Sequence, residues 1–299
     1  MPHRPLLTAA CALLATGLTA PAAAAAPPRA TTVPCGAVLT TSVRLAADVV
    51  CPGGEGLTLA ADGIELNLNG HRLTGPGTDH GTVGVRVRAR DVVVRNGTVG
   101  GWGSGVVAGT DAYEEERRGP VGASVRAARL EGNGTGVDVR EDGAVEVRGT
   151  WFSGNDLAGG SVTGGRLLVE GSTADGNRRG FSSFDVGWDG LVLRGTTVRG
   201  GAYGVGCEQD GHLVLRGSTV QRTGTALRAS QCSAHVEDSA FAWNDRHVGR
   251  FLVDTDSVEF RCTTFSRDGG PLDVPLTACD PSAPATAPGT RVSGTFAPL

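Results

Sequence analysis

The chain has 299 residues, a formal net charge of −4, 47 glycines and only 5% aromatics. All its basic residues are arginine, and it has no basic tract or aromatic-basic interleaving, which excludes an ordinary nucleic-acid-binding surface. Abundant Gly and Val, with almost no 3.6-residue periodicity, exclude a helical bundle and predict an all-β chain.

In chain order, the first segment reads as a secretory leader. Arg4 supplies a basic start, Pro5 to Leu18 an apolar stretch, and Ala20 to Ala26 the small-residue cleavage sites. The predicted signal peptide is 1–26. Pro27 and Pro28 follow too soon for a membrane span, and no later segment is apolar enough for one. Residues 27–34 are expected to be a linker, 35–279 the folded region, and the Pro/Ala/Thr/Gly-rich 280–299 a flexible tail. The tail has no L-P-x-T-G word, so release is expected rather than covalent attachment to a wall.

Beyond the leader stand six cysteines: Cys35, Cys51, Cys207, Cys232, Cys262 and Cys279. An even count in an exported chain favours disulfides, and no C-x-x-C or Cys/His cluster suggests a metal. Cys35–Cys51 and Cys262–Cys279 are the natural local pairs, one near each end of the repeats. Cys207–Cys232 is left open. A three-residue offset along a strand is about 10 Å, too far for a bond without a local slip.

A six-residue word dominates the interior. It reads LNGHRL from Leu68, VRNGTV from Val94, VRAARL from Val125, VRGTWF from Val147 and VEGSTA from Val169. It continues as LRGTTV from Leu193, LRGSTV from Leu215, VEDSAF from Val236 and FRCTTF from Phe260. Successive starts lie 26, 31, 22, 22, 24, 22, 21 and 24 residues apart, which is the signature of a repeat architecture. The third position is usually Gly or Asn, as a bend at positive φ requires; Ala127, Asp238 and Cys262 depart from it. A second alternating segment precedes each word, often ending in an Asp turn. Strands this short cannot form a useful meander, but they can stack coil upon coil.

LNLNGH followed by VVVRNGTVGG resembles the opening of secreted β-helix repeat proteins of the pectin-lyase-like superfamily. The resemblance covers about Cys35 to Cys279. It implies an all-β, right-handed single-stranded parallel β-helix of about nine to ten coils. It chooses no activity, since that superfamily includes lyases, hydrolases, epimerases, adhesins and inert solenoids.

Relatives of this architecture that act on glycans bind them along one outer strand face, and by resemblance the GVRVR-type strand is taken as that face. Its outward residues are expected to be Arg86, Arg88, Val107, Asp138, Arg140, Ser182, Glu208, Arg228 and Asp254. Insertions at Thr74–Thr82, with Asp79 and His80, and at Gly109–Gly122, with Asp111, Tyr113 and Glu114 to Arg118, are expected to flank a groove. Lyase chemistry needs a neutralised carboxylate and a base. His80, Tyr113, Asp138 and Arg140 are the catalytic candidates; Arg86, Arg88, Asp111, Glu208 and Arg228 are the substrate-binding ones. No metal ligand set is assigned, no cofactor is expected, and Ca²⁺ enters only with a lyase. Asp185, Asp189 and Glu208 could serve a hydrolase, although Asp189 and Asp210 sit where Asp caps a turn. Trp102, Trp188 and Trp243 are placed in loops where a sugar could stack, and Trp151 outward within its word. His71, His212 and His235 are read as ordinary repeat residues, and His247 as lying in an expanded loop.

The expectation is therefore a secreted, monomeric solenoid that meets polysaccharide or an envelope surface, with no nucleic-acid partner, no membrane insertion and no assigned catalysis. The alternative is a polysaccharide lyase working between the 74–82 and 109–122 loops.

Overall fold

The computed structural model describes residues 29–79, 81–110, 119–186, 190–250, 257–266 and 293–294. Every element among them is a β-strand, and every strand pairing is parallel except one at the C-terminal end; an isolated bridge between Thr110 and Glu141 is also antiparallel. The result is the parallel β-helix that the repeat predicts, with about nine coils. Each coil runs through three faces, and each strand pairs with its equivalents one coil before and after.

Alternation decides which side chains enter the core. On the first face Leu57, Val85, Val106 and Val137 stack in register, and the column continues through Gly160, Phe181, Val205 and Leu227. On the second face the first letters of the words form another column, Val94–Val125–Val147–Val169–Leu193–Leu215–Val236–Phe260. The last letters form the third, from Leu73 and Val99 through Leu130 and Phe152 to Phe241 and Phe265. All but Phe265 of the residues named in these last two columns are buried, so period-2 patterning closes a single apolar core.

The corners follow the word's third position in every copy. Gly70, Asn96, Gly149, Gly171, Gly195 and Gly217 have positive φ, and so do Ala127, Asp238 and Cys262. The bend is thus set by the winding, and the departing residues are forced into it. The first word differs in one respect. Leu66, rather than Leu68, pairs with Val94, while Leu73 still pairs with Val99. Two extra residues are absorbed around Asn69 and Gly70, both at positive φ.

Disulfides form at Cys35–Cys51 and at Cys207–Cys232, with Cα separations of 5.5 and 5.8 Å. The second settles the open case. A register shift between Glu208 and Gly211, with Gln209, Asp210 and Gln231 at positive φ, turns the corner between the two cysteines. A straight-strand offset therefore does not apply. Cys262 is also disulfide-bonded, and its expected partner Cys279 lies outside the described residues. Two short strands fall in segments expected to be linker and tail. Ala30–Thr31 pairs with Val43–Leu45, and Ser293–Gly294 lies antiparallel on Ser257–Arg261.

Candidate functional site

The outer row of the first face runs, one residue per coil, through Arg86, Val107, Asp138, Ser161, Ser182, Gly206 and Arg228. Parallel in-register pairing places equivalent positions side by side at the inter-strand spacing of about 4.8 Å. The sequence-predicted Arg86, Asp138, Ser182 and Arg228 therefore share one row. Glu208 belongs two residues further along, in register with Phe184 and Ser230. Arg88 and Arg140 likewise lie two residues beyond Arg86 and Asp138.

The charged members of this strip are already paired. Arg86 donates from Nε to Glu55 at 2.6 Å. Arg140 donates from Nε and lies with its Nη2 2.9 Å from the same Asp138 Oδ2. Arg228 sits 3.2 Å from Glu208 and 5.1 Å above the Tyr203 ring, whose other neighbour is Arg179 at 5.9 Å. Each of these carboxylates stabilises its arginine locally, so none stands as an isolated base.

Val107 is 0% exposed although it occupies the outward row. The strip is thus covered at the coil between Arg86 and Asp138, where the groove between the insertions is expected. A shallow cleft of about 220 Å³ opens further along the same face, lined by Thr135, Leu157, Ala158, Ser161, Arg178, Arg179 and Ser182. Ser161 and Ser182 floor it and hydrogen-bond one another at 3.3 Å. The small side chains of Ser161 and Ser182 leave the depression. Phe184, 37% exposed, stands two residues beyond Ser182 on the same face.

Ser161, Arg178, Arg179 and Tyr203 are absent from the sequence-derived set. Their signal was positional: Ser161 lies one coil after Asp138, and Arg179 and Tyr203 fall one coil apart in a single register. His80, Tyr113, Asp111, Asp189, Asp254 and Trp188 lie outside the described residues. The tryptophans divide. Trp102 is 0% exposed, with its indole N–H donating to the Leu73 carbonyl, so it is core rather than a sugar platform. Trp151 is half-buried beneath the Arg199 guanidinium, 5.4 Å from the ring, and Trp243 is 57% exposed with Arg222 at 5.6 Å. His247 is not in a loop. It lies in strand Arg246–Arg250, is 1% exposed, and hydrogen-bonds the Ser266 carbonyl at 2.7 Å.

The carboxyls displaced from their ordinary range lie off this strip. Asp48 and Asp62 are held low chiefly by accepting backbone N–H groups, from Arg72 and Arg90 respectively, and secondarily by side-chain bonds to His71 and Arg90. Among the described residues no group of three His, Cys, Asp or Glu side chains is placed to hold a metal ion.

No known family profile and no curated protein matches this chain. Among solved structures the chain is similar to ORF18 of Geobacillus virus E2, at 11% identity, over 76% of this chain and 56% of that one. The TM-score is 0.17, too low to carry any argument about fold or function.

Proposed function

We propose that this protein is an exported β-helix that binds an acidic glycan without cleaving it, through the strip from Asp138 to Arg228. The cleft floored by Ser161 and Ser182 and bordered by Arg178 and Arg179 carries the reading. A pyranose needs hydrogen-bond partners around its rim and an apolar contact for its face. The two serines and Thr135 supply the first, and Leu157 with the nearby Phe184 the second. A carboxylate or sulfate on the sugar suits guanidinium donors. Pre-paired charges favour binding over chemistry, because a base committed to an ion pair is poorly placed to take a proton. Disulfide-bonded cysteines are compatible with an oxidising, extracellular setting. The pectin-lyase-like kinship stays part of this reading, supported by the coil architecture and the repeated word.

Calorimetric titration of the folded protein with acidic and neutral oligosaccharides tests the proposal. Acidic chains should bind, and Ser182→Tyr, which fills the floor, should weaken them at least about tenfold. Absence of binding across the panel, or equal binding by Ser182→Tyr, would overturn it. The lyase reading draws support from Asp138 and Arg140 standing one coil from the cleft. It requires unsaturated products from a uronate polymer, lost in the Asp138→Ala/Arg140→Ala double variant. No step of that reading is routed through Ca²⁺, for which the described residues show no ligand set.

A further inference from the structure

The second face carries a constellation that the glycan reading does not use. Ser233 and His235 lie on one strand, two residues apart and therefore on one side, within Thr225–Glu237. Ser233 Oγ is 3.5 Å from His235 Nε2. On the imidazole's other side, Nδ1 is 3.0 Å from Glu259 Oε2, contributed by the next coil in register with His235. A carboxylate can only accept, so Nδ1 carries the proton and Nε2 is left to accept from the serine hydroxyl. His212, from the preceding coil, is in register with Ser233, and its ring centre lies 5.6 Å from that of His235. Beside His235 the outward row continues as the half-buried Val214, and then as Val192, which is covered.

We propose that Ser233, His235, Glu259 and His212 form an acyl-transfer site for esters of short aliphatic acids. Ser233 is the nucleophile, His235 its general base, Glu259 the positioning residue that fixes the imidazole, and His212 the donor toward the developing oxyanion. The Ser233 proton passes to His235 Nε2 as Oγ bonds to the acyl carbon, and the carbonyl oxygen takes the negative charge beside His212. The carbon–oxygen bond to the alcohol then breaks, and His235 returns the proton to the departing alkoxide. Water repeats the sequence on the acyl-serine, releasing the acid and restoring the hydroxyl. Val214, half-buried beside His235, meets a short acyl chain. A longer Ser–His separation than in a working hydrogen bond is ordinary before substrate binds.

A bare exposed imidazole can also hydrolyse activated esters, so the test must separate serine from histidine. The full chain is treated with an alkyl fluorophosphonate and the adduct mapped by peptide mass spectrometry, and hydrolysis of p-nitrophenyl acetate is followed in parallel. The label is expected on Ser233, with ester turnover at least roughly a hundredfold lower in Ser233→Ala and in His235→Ala. Glu259→Gln should lower kcat about as much while leaving KM unchanged, and Glu259→Asp should recover part of the loss. A label absent from Ser233, or Ser233→Ala turning over the ester as fast as the parent, overturns the proposal. The glycan titration above is independent of this outcome, because the two sites lie on different faces.

Discussion

At the residue scale, the least expendable polar groups are asparagines that never reach solvent. Asn133, Asn155 and Asn177 are buried one above another just past the corner after each word. Asn155 donates from Nδ2 to the Leu130 carbonyl at 3.1 Å and to Asn177 Oδ1 at 2.7 Å, and its own Oδ1 accepts the Asn133 backbone N–H at 3.0 Å. Asn133 and Asn177 reach back to the Val99 and Phe152 carbonyls in the same way, and Asn244 to Val220. A buried donor or acceptor left unpaired costs about 1–3 kcal/mol. Asn155→Ala orphans several at once and should lower unfolding stability by about 3 kcal/mol. Exposed Asp156→Asn should stay within about 0.5 kcal/mol. Urea unfolding of the two variants checks this, and equal midpoints would count against the ladder. The Gly-Asn pairs at 132–133, 154–155 and 176–177 are visible in the sequence. That their side chains turn inward is not, because asparagine at a turn ordinarily faces water.

At the scale of the element, the two regions differ in how their irregularities are absorbed. The later strands stack in register apart from the shift between Glu208 and Gly211, whereas the early coils accommodate Trp102 inside the winding. Gly75 makes that possible. A Cβ there would lie 2.2 Å from the Gly101 carbonyl oxygen and 2.4 Å from the Trp102 ring. Gly75→Ala should cost about 1–3 kcal/mol through overpacking. Gly53→Ala, whose added carbon meets nothing within 4 Å, should be neutral or slightly stabilising. Thermal melts of both variants decide the matter, and an unchanged Gly75→Ala would show that the Gly101 backbone and the indole can both yield. Strand existence and orientation were legible from alternation, as the buried Val137 and Val139 around Asp138 show. The burial of Trp102 was not, since its neighbours in sequence are glycines and the residues against its ring, Gly56, Gly75 and Gly84, come from earlier coils.

For the whole molecule, each coil is stabilised chiefly by its neighbours, so stability approximates a sum of interfaces rather than one cooperative core. Cross-links between coils then act locally. Cys207–Cys232 joins adjacent coils across 25 residues, and a loop of that size contributes about 3 kcal/mol in the chain-entropy account. Cys207→Ser/Cys232→Ser should lower the melting temperature and open the coils around residues 203–237 to protease first. The N-terminal coils held by Cys35–Cys51 should resist longest. Time-resolved proteolysis with mass mapping reads this directly, and simultaneous cleavage throughout would show a single cooperative unit.

The candidate site divides along the same line. Arg86, Asp138, Ser182 and Arg228 were legible as one outward row because period and parity are written locally in each repeat. The sequence by itself determined the winding, the inward columns and the corner positions, for those depend on residues two apart or one period apart. Only the tertiary structure decided where the face is open, since Val107 is outward by parity yet covered. It alone turned the corner that joins Cys207 to Cys232 and drew Ser233, His235 and Glu259 together. Depth, cover and side-chain approach are set by coils far apart in the chain, and their spacing varies from 21 to 31 residues where the repeat is stretched.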